Sequence, residues 1–274
     1  MAEFGTSKFV KKISEITHES YVHGWDERNG GNVSVRIDRE DLTGFSDLAE
    51  VKRSFSLGFD ARPLAKQYFL VTGTGGRYFR NVINQPQKDL GLVQITADGQ
   101  KADLLWGGFE DGGLPTSEFP SHLMTHIERL QVDQTHHVVM HCHPTNIIAL
   151  SFTQELDEAK LSRLLWKMQA ESLVVFPEGI GVIPYMTPGT TKIGRATADK
   201  MQEFRLVIWP HHGIFGAGGA DLDETFGLIE TAEKAATIYS QIGAQGGKIK
   251  QAITDDQLRK LAKAFGVVAN PEFL

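Results

Sequence analysis

Two hydrophobic periods alternate along this chain, and that alternation restricts the fold more than any other feature. Phe9, Val10, Ile13 and Ile16 recur at helical spacing, so residues 7–23 read as an amphipathic opening helix. Val33, Val35 and Ile37 then alternate with Ser34 and Arg36, the period of a half-buried strand. The switching continues to the end of the chain. Phe69 to Val71 reads as a strand running into the glycine-rich turn Thr72-Gly73-Thr74-Gly75-Gly76, and residues 90–106 read as a hairpin that turns at Asp98-Gly99. Thr116-Ser117 opens a helix with Pro120 in its first turn, where a missing N–H costs nothing. Val138-Val139-Met140 is a buried strand; a helix near 156–170 precedes a strand from Leu173 to Phe176, and another helix follows Gly189. Leu206 to Trp209 is a strand, Asp221 to Ile242 a long helix, and Thr254-Asp255-Asp256-Gln257 a capping box for a last helix that Gly266 ends. Residues 38–66 show no period and read as an insertion of loops with one short element. Strands interleaved with helices predict a single α/β domain of the α+β type over residues 1–274, a mixed sheet covered by helices.

Composition narrows the partners. The chain has 274 residues, 41% hydrophobic and 23% charged, which is the balance of a soluble globular protein. A formal net charge of -6 argues against a nucleic-acid or membrane-surface partner. It leaves room for a small anionic substrate, because backbone N–H groups and a local metal can hold phosphate on an acidic protein. Cys142 is the single cysteine, so no intramolecular disulfide forms. No apolar run is long enough for a signal peptide or a membrane span, and a cytoplasmic location is expected.

The strongest local signal for chemistry is His141-x-His143 at the end of an apolar strand. Residues i and i+2 on a strand point to the same face, so both imidazoles can reach one metal ion. A second strand runs into Trp209-Pro210-His211-His212-Gly213 and offers a third ligand, from either His211 or His212. Three histidines around an open position describe a catalytic zinc site, and one cysteine is too few for the usual structural one. Glu118, His122 and His126 also share a helix face, at i, i+4 and i+8. His122 to His126 lacks the glutamate of HExxH, so these two read as surface or packing histidines. Glu118 differs, because it sits in a first turn beside Thr116-Ser117, where N–H groups are free. Thr72 to Gly76 and Asn29-Gly30-Gly31-Asn32 read as turns whose backbone N–H groups, amides and hydroxyls can hold an anion, though neither fits a phosphate loop or a dinucleotide fingerprint.

Taken in order, Asn29-Gly30-Gly31-Asn32-Val33-Ser34-Val35-Arg36, Thr72-Gly73-Thr74-Gly75, Pro115-Thr116-Ser117-Glu118, His141-Cys142-His143 and His212-Gly213 resemble the class II aldolase/adducin family over nearly the whole chain. Gly24-Trp25-Asp26-Glu27-Arg28, Val175-Phe176-Pro177 and Asp223-Glu224-Thr225-Phe226-Gly227-Leu228-Ile229 make the resemblance closer to one ketose-phosphate aldolase branch. The resemblance implies that His141, His143 and His212 hold zinc, which selects His212 over His211. It implies that Glu118 removes and returns the proton at the reacting carbon. It places Asn29, Asn32, Thr74, Gly75, Thr116 and Ser117 at the phosphate of dihydroxyacetone phosphate, with Thr74 where a serine is expected. Glu171 would reach the active site of a neighbouring subunit in a cyclic homotetramer, and the sheet would be mixed, mostly antiparallel, between helix layers. Within the family, a fuculose-phosphate aldolase and a pentulose-phosphate 4-epimerase share the zinc site; an adducin-like interaction scaffold would have no need of one.

Overall fold

A computed structural model describes residues 2–108, 113–219 and 221–274. The strands are β1 (Asn32–Ile37), β2 (Arg53–Ser56), β3 (Tyr68–Thr72), β4 (Leu90–Ile95), β5 (Lys101–Gly107), β6 (Val138–Cys142), β7 (Gly181–Val182), β8 (Leu206–Trp209) and β9 (Gly213–Gly218). They form one sheet in the order β2-β5-β4-β3-β1-β6-β9-β8-β7. Every pairing is antiparallel except β7 with β8, so the sheet is mixed and mostly antiparallel. The helices are α1 (Lys8–Val22), α2 (Phe79–Val82), α3 (Pro86–Asp89), α4 (Phe119–Val132), α5 (Thr145–Thr153), α6 (Glu158–Met168), α7 (Ala170–Val175), α8 (Thr191–Lys200), α9 (Leu222–Ala244) and α10 (Asp255–Phe265).

Strand alternation sends successive side chains to opposite faces, and each face has its own helices. Leu70 and Leu92 pack with Val10 and Ile13 of α1 in the larger core, which also takes in Phe226 and Ile229 of α9. Their neighbours Phe69, Val71 and Val93 point the other way and join Phe119 and Leu123 of α4 in a second core. Each such buried side chain stabilises the fold by about 1.5–3 kcal/mol.

The topology also collects the loops that matter at one end of the sheet. β1 and β9 both run antiparallel to β6, so their first residues lie beside the last residues of β6: Asn32 pairs with His141 and Ile214 with Cys142. β3 is antiparallel to β1, which brings its end to the same place; Thr72 Oγ1 accepts from the Val33 amide at 3.1 Å.

One local expectation is revised, and two segments are filled in. Leu173 to Phe176 is not a strand; the apolar run belongs to α7, a single short helix capped after Val175. Gly213–Gly218, with its three glycines, is a fully buried strand. It can be so because α9 lies against it, and a Cβ at Gly216 would stand 3.0 Å from two atoms of Ile229. Residues 38–66 hold three short 3-10 turns and the edge strand β2, which hydrogen-bonds to β5.

Candidate active site

His141 is the penultimate residue of β6 and is buried against Trp209 and Phe215, whose rings lie 4.9 and 5.0 Å away. Its Nδ1–H donates to the Ile214 carbonyl at 2.9 Å, which fixes the tautomer and leaves Nε2 as a lone-pair donor. That Nε2 is buried and has no hydrogen-bond partner among the described residues. His143 and His212 converge on it: one nitrogen of each of the three rings lies within 4.8 Å of the others. Burial, helped by the nearby His143 and His212 charges, holds His141 well below the usual histidine range. Burial and the neighbouring His143 bring His212 to about 4. Both are therefore neutral at physiological pH, the form that binds metal.

Glycines make this approach feasible. A Cβ at Gly213 would stand 2.2 Å from the Cys142 carbonyl oxygen, and one at Gly30 would stand 2.8 Å from His143 Nδ1. The structure also separates the two candidates for the third ligand. His211 adopts a left-handed φ of 63°, and its amide and ring bond to Ser151 Oγ at 2.9 and 3.1 Å. Its ring packs on Phe152, and it does not join the three converging histidines. Cys142 points to the opposite face, 3.5 Å from Ser20 Oγ, and burial raises its thiol well above the usual range. The donor set is thus three imidazoles without a thiolate, and with the orphaned nitrogen of His141 it fits a divalent cation such as zinc.

Glu118 is the N-cap residue of α4, but its side chain does not cap that helix. It turns towards the histidines and is buried, with Oε2 3.8 Å from His141 Nε2 and accepting from Asn32 Nδ2 at 2.9 Å. Burial raises the Glu118 carboxyl above its ordinary value; the Asn32 hydrogen bond and the His143 charge pull the other way. A carboxylate whose basicity is raised by burial is suited to accept a proton from carbon.

These groups line a cavity of about 280 Å³ that opens at the strand ends. Asn29, Asn32, Thr74, Thr116 and Ser117 line it, together with Glu118, His141, His143 and His212. Gly75 and Glu171 do not. Gly75 sits next to Thr74 with φ of 61°, and Glu171 is exposed in the first turn of α7. Two backbone groups of the Thr72–Gly76 turn are already engaged, because the Gly73 and Thr74 amides donate to the Asp89 and Leu114 carbonyls at 2.8 and 3.0 Å. An anion here would therefore rely on hydroxyls and side-chain amides more than on those two N–H groups. Sequence reasoning passed over Glu27 and Arg28, which also line the cavity. Glu27 Oε2 lies 3.3 Å from His143 Nδ1, and Arg28 is a cation in the lining, held at a left-handed φ of 52°.

Comparison with known proteins agrees with this geometry. Residues 11–240 match the model of the Class II Aldolase and Adducin N-terminal domain. The chain belongs to the class II aldolase and adducin family. A protein of Listeria monocytogenes named rhamnulose-1-phosphate aldolase is 53% identical over 266 residues, covering 97% of this chain and 96% of its own. One of the same name from Enterococcus faecalis is 50% identical over 97% of this chain and 94% of its own. Among solved structures, a sugar-phosphate aldolase from Thermotoga maritima superposes with a TM-score of 0.76 at 30% identity, covering 88% of this chain and 97% of that one. Class II aldolases are metal-dependent, and the three converging histidines are where this member can hold its metal.

Proposed function

We propose that this chain is a zinc-dependent aldolase that reversibly cleaves L-rhamnulose 1-phosphate to dihydroxyacetone phosphate and L-lactaldehyde. The observation that carries the reading is the meeting of three histidines with a buried glutamate in one polar cavity. The Listeria and Enterococcus relatives, at about half identity over nearly full length, supply the choice of sugar.

His141, His143 and His212 would hold the zinc, which as a Lewis acid would polarise the ketone. The chain's own groups do the rest. Glu118 takes a proton from the hydroxymethyl carbon of dihydroxyacetone phosphate in the condensing direction and returns it to that carbon after cleavage. The hydroxyls of Thr74, Thr116 and Ser117, with the Asn29 amide, bind and orient the phosphate, and Gly75 keeps the turn open beside them; Asn32, expected at the phosphate, has its amide engaged by Glu118 and His122 instead. The phosphate is anchored away from the reacting carbon, so the charge change is confined to the end of the substrate near Glu118. Residues 1–274 act as one domain, and the protein works in the cytoplasm as a homotetramer. Glu171, exposed and outside its own chain's cavity, contributes to a neighbouring subunit's site in that assembly. Among the described residues, no helix is long and apolar enough to cross a membrane.

The test is cleavage of L-rhamnulose 1-phosphate with coupled detection of dihydroxyacetone phosphate, with L-fuculose 1-phosphate in the same assay and the epimerisation of a pentulose 5-phosphate followed separately. Activity on the rhamnulose ester that a chelator abolishes and zinc restores supports the reading. A zinc-loaded protein that prefers another ester overturns the substrate, and one inert to all three overturns the reaction.

A further inference from the structure

From Glu118 and Asn32 in the cavity lining, a line of buried polar side chains runs inward to His122, Ser34 and His126, which the reaction, as described, does not use. Glu118, Asn32, His122, Ser34 and His126 are all buried, the last three almost completely. They are joined end to end. Asn32 Nδ2 donates to Glu118 Oε2 at 2.9 Å, and Asn32 Oδ1 lies 2.5 Å from His122 Nε2. His122 Nδ1 is 2.8 Å from Ser34 Oγ, which is 2.9 Å from His126 Nε2. Phe215 lies edge-on to the His122 ring at 5.2 Å and Phe69 lies 4.9 Å from the His126 ring, so neither imidazole can swing.

The direction of every bond follows from the chemistry of its ends. An ionised carboxylate only accepts, so the Asn32 amide nitrogen faces Glu118 and the amide oxygen faces His122. That oxygen only accepts, so His122 Nε2 carries the proton. Burial keeps His122 and His126 neutral, well below the usual histidine range. A neutral imidazole has one donor, and His122 has spent it on Asn32; its Nδ1 therefore accepts from the Ser34 hydroxyl. The Ser34 oxygen in turn accepts from His126 Nε2–H. Reversing the amide would set its oxygen against the Glu118 carboxylate and its NH₂ against the His122 N–H, leaving buried groups unpaired.

We propose that His122 is a positioning residue for Glu118: its Nε2–H locks the Asn32 amide, which in turn holds the carboxylate in its working orientation. Ser34 and His126 set the tautomer of His122 and so complete the same device. The inference rests on the aldolase reading, in which Glu118 moves the proton. A base displaced by an ångström loses on the order of a hundredfold in rate, while substrate held by other groups still binds.

The test uses the full-length, zinc-loaded protein and two assays: cleavage of L-rhamnulose 1-phosphate, and exchange of deuterium from D₂O into dihydroxyacetone phosphate. In the exchange a C–H proton of the hydroxymethyl carbon passes to Glu118 and a deuteron returns to that carbon. His122→Met fills the volume and removes the donor. It should lose about 10- to 100-fold in kcat and in exchange rate, with KM within about threefold and zinc retained. His122→Gln, which returns an N–H near the Nε2 position, should recover most of both rates. Ser34→Ala, a smaller change that frees the tautomer, should lose a few-fold in the same two rates. Wild-type rates in folded His122→Met, or loss of zinc and KM together with no rescue by His122→Gln, overturn the proposal. If His122→Met does not fold, wild-type exchange in Ser34→Ala overturns it instead. Failure of the aldolase reading shows separately, as wild-type protein that neither cleaves nor exchanges.

Discussion

Glu118 touches two sets of histidines, His141 directly at 3.8 Å and His122 through Asn32, and the two sets differ in how their nitrogens are used. Both rings are buried, and burial keeps both neutral. In His122 both nitrogens are hydrogen-bonded, to Asn32 and Ser34. In His141 only Nδ1 is, and Nε2 faces the cavity without a partner among the described residues. Leaving a buried nitrogen unpaired costs about 1–3 kcal/mol, a cost a metal bond removes. Burial, neutrality and type are shared, so the free nitrogen is what separates His141 from His122.

The largest effects should come from breaking that distinction at the cavity. His143→Ala removes one of three converging nitrogens, and metal and cleavage activity should disappear together, read by metal analysis and the coupled assay. Glu118→Ala should instead keep its metal and lose about 10²–10⁴-fold in kcat, the usual contribution of a general base. A Glu118→Ala protein with unchanged turnover, or an active metal-replete His143→Ala, would show that the cavity histidines and the glutamate are not divided in this way.

Acid stability sharpens the comparison at a smaller scale. Burial lowers His122 to about 3, against 6.5 for an exposed histidine, and lowers His126 as well. Below pH 6.5 the unfolded chain binds protons that the folded one refuses. Stability is therefore fully present above pH 6.5 and is lost as pH falls towards 3, by up to about 1.4 kcal/mol per pH unit for each such histidine. Urea titrations of metal-free protein should show this slope, and His122→Gln should flatten it by up to one histidine's share. Equal slopes in the two proteins would mean that His122 is charged in the fold, donating from both nitrogens to Asn32 Oδ1 and Ser34 Oγ, and would overturn the tautomer assigned to it. Zinc should make wild-type stability steeper still in acid, since protons compete for the cavity histidines but not for the scaffold pair.

These two histidine sets were unequally legible in the sequence. His141 and His143 follow a short apolar strand, a pattern readable within six residues, and the ordered glycine turns placed them in their family. Local patterns also located α1, the β4–β5 hairpin and the capping box of α10, in which Thr254 and Gln257 bond reciprocally. His122 and His126 read as surface or packing positions, and the surface part of that reading fails, since both are buried. Their partner Ser34 lies 88 and 92 positions away and is delivered by the pairing of β1 in the sheet, which no local window contains. The same holds for β9. Its glycines look like a loop until α9 is laid against them. In α7 the apolar run Leu173 to Phe176 is too short for its period to distinguish helix from strand.

The smallest expected effect is also the most discriminating, because it concerns two adjacent residues. His211 and His212 are indistinguishable by type and lie in the same turn after β8. The backbone separates them: His211 takes a left-handed φ of 63°, and both its amide and its ring bond Ser151. His212, followed by a glycine with no room for a Cβ, joins His141 and His143. His211→Asn keeps a residue type that tolerates left-handed φ and an atom able to reach Ser151. It should leave bound metal unchanged and kcat within about twofold, as for a substitution outside the donor set. His212→Asn, one position on, should release the metal. If the two variants lose metal alike, the backbone turn rather than the ligand atom is what the site requires, and the free-nitrogen criterion drawn from His141 and His122 would not extend to this strand.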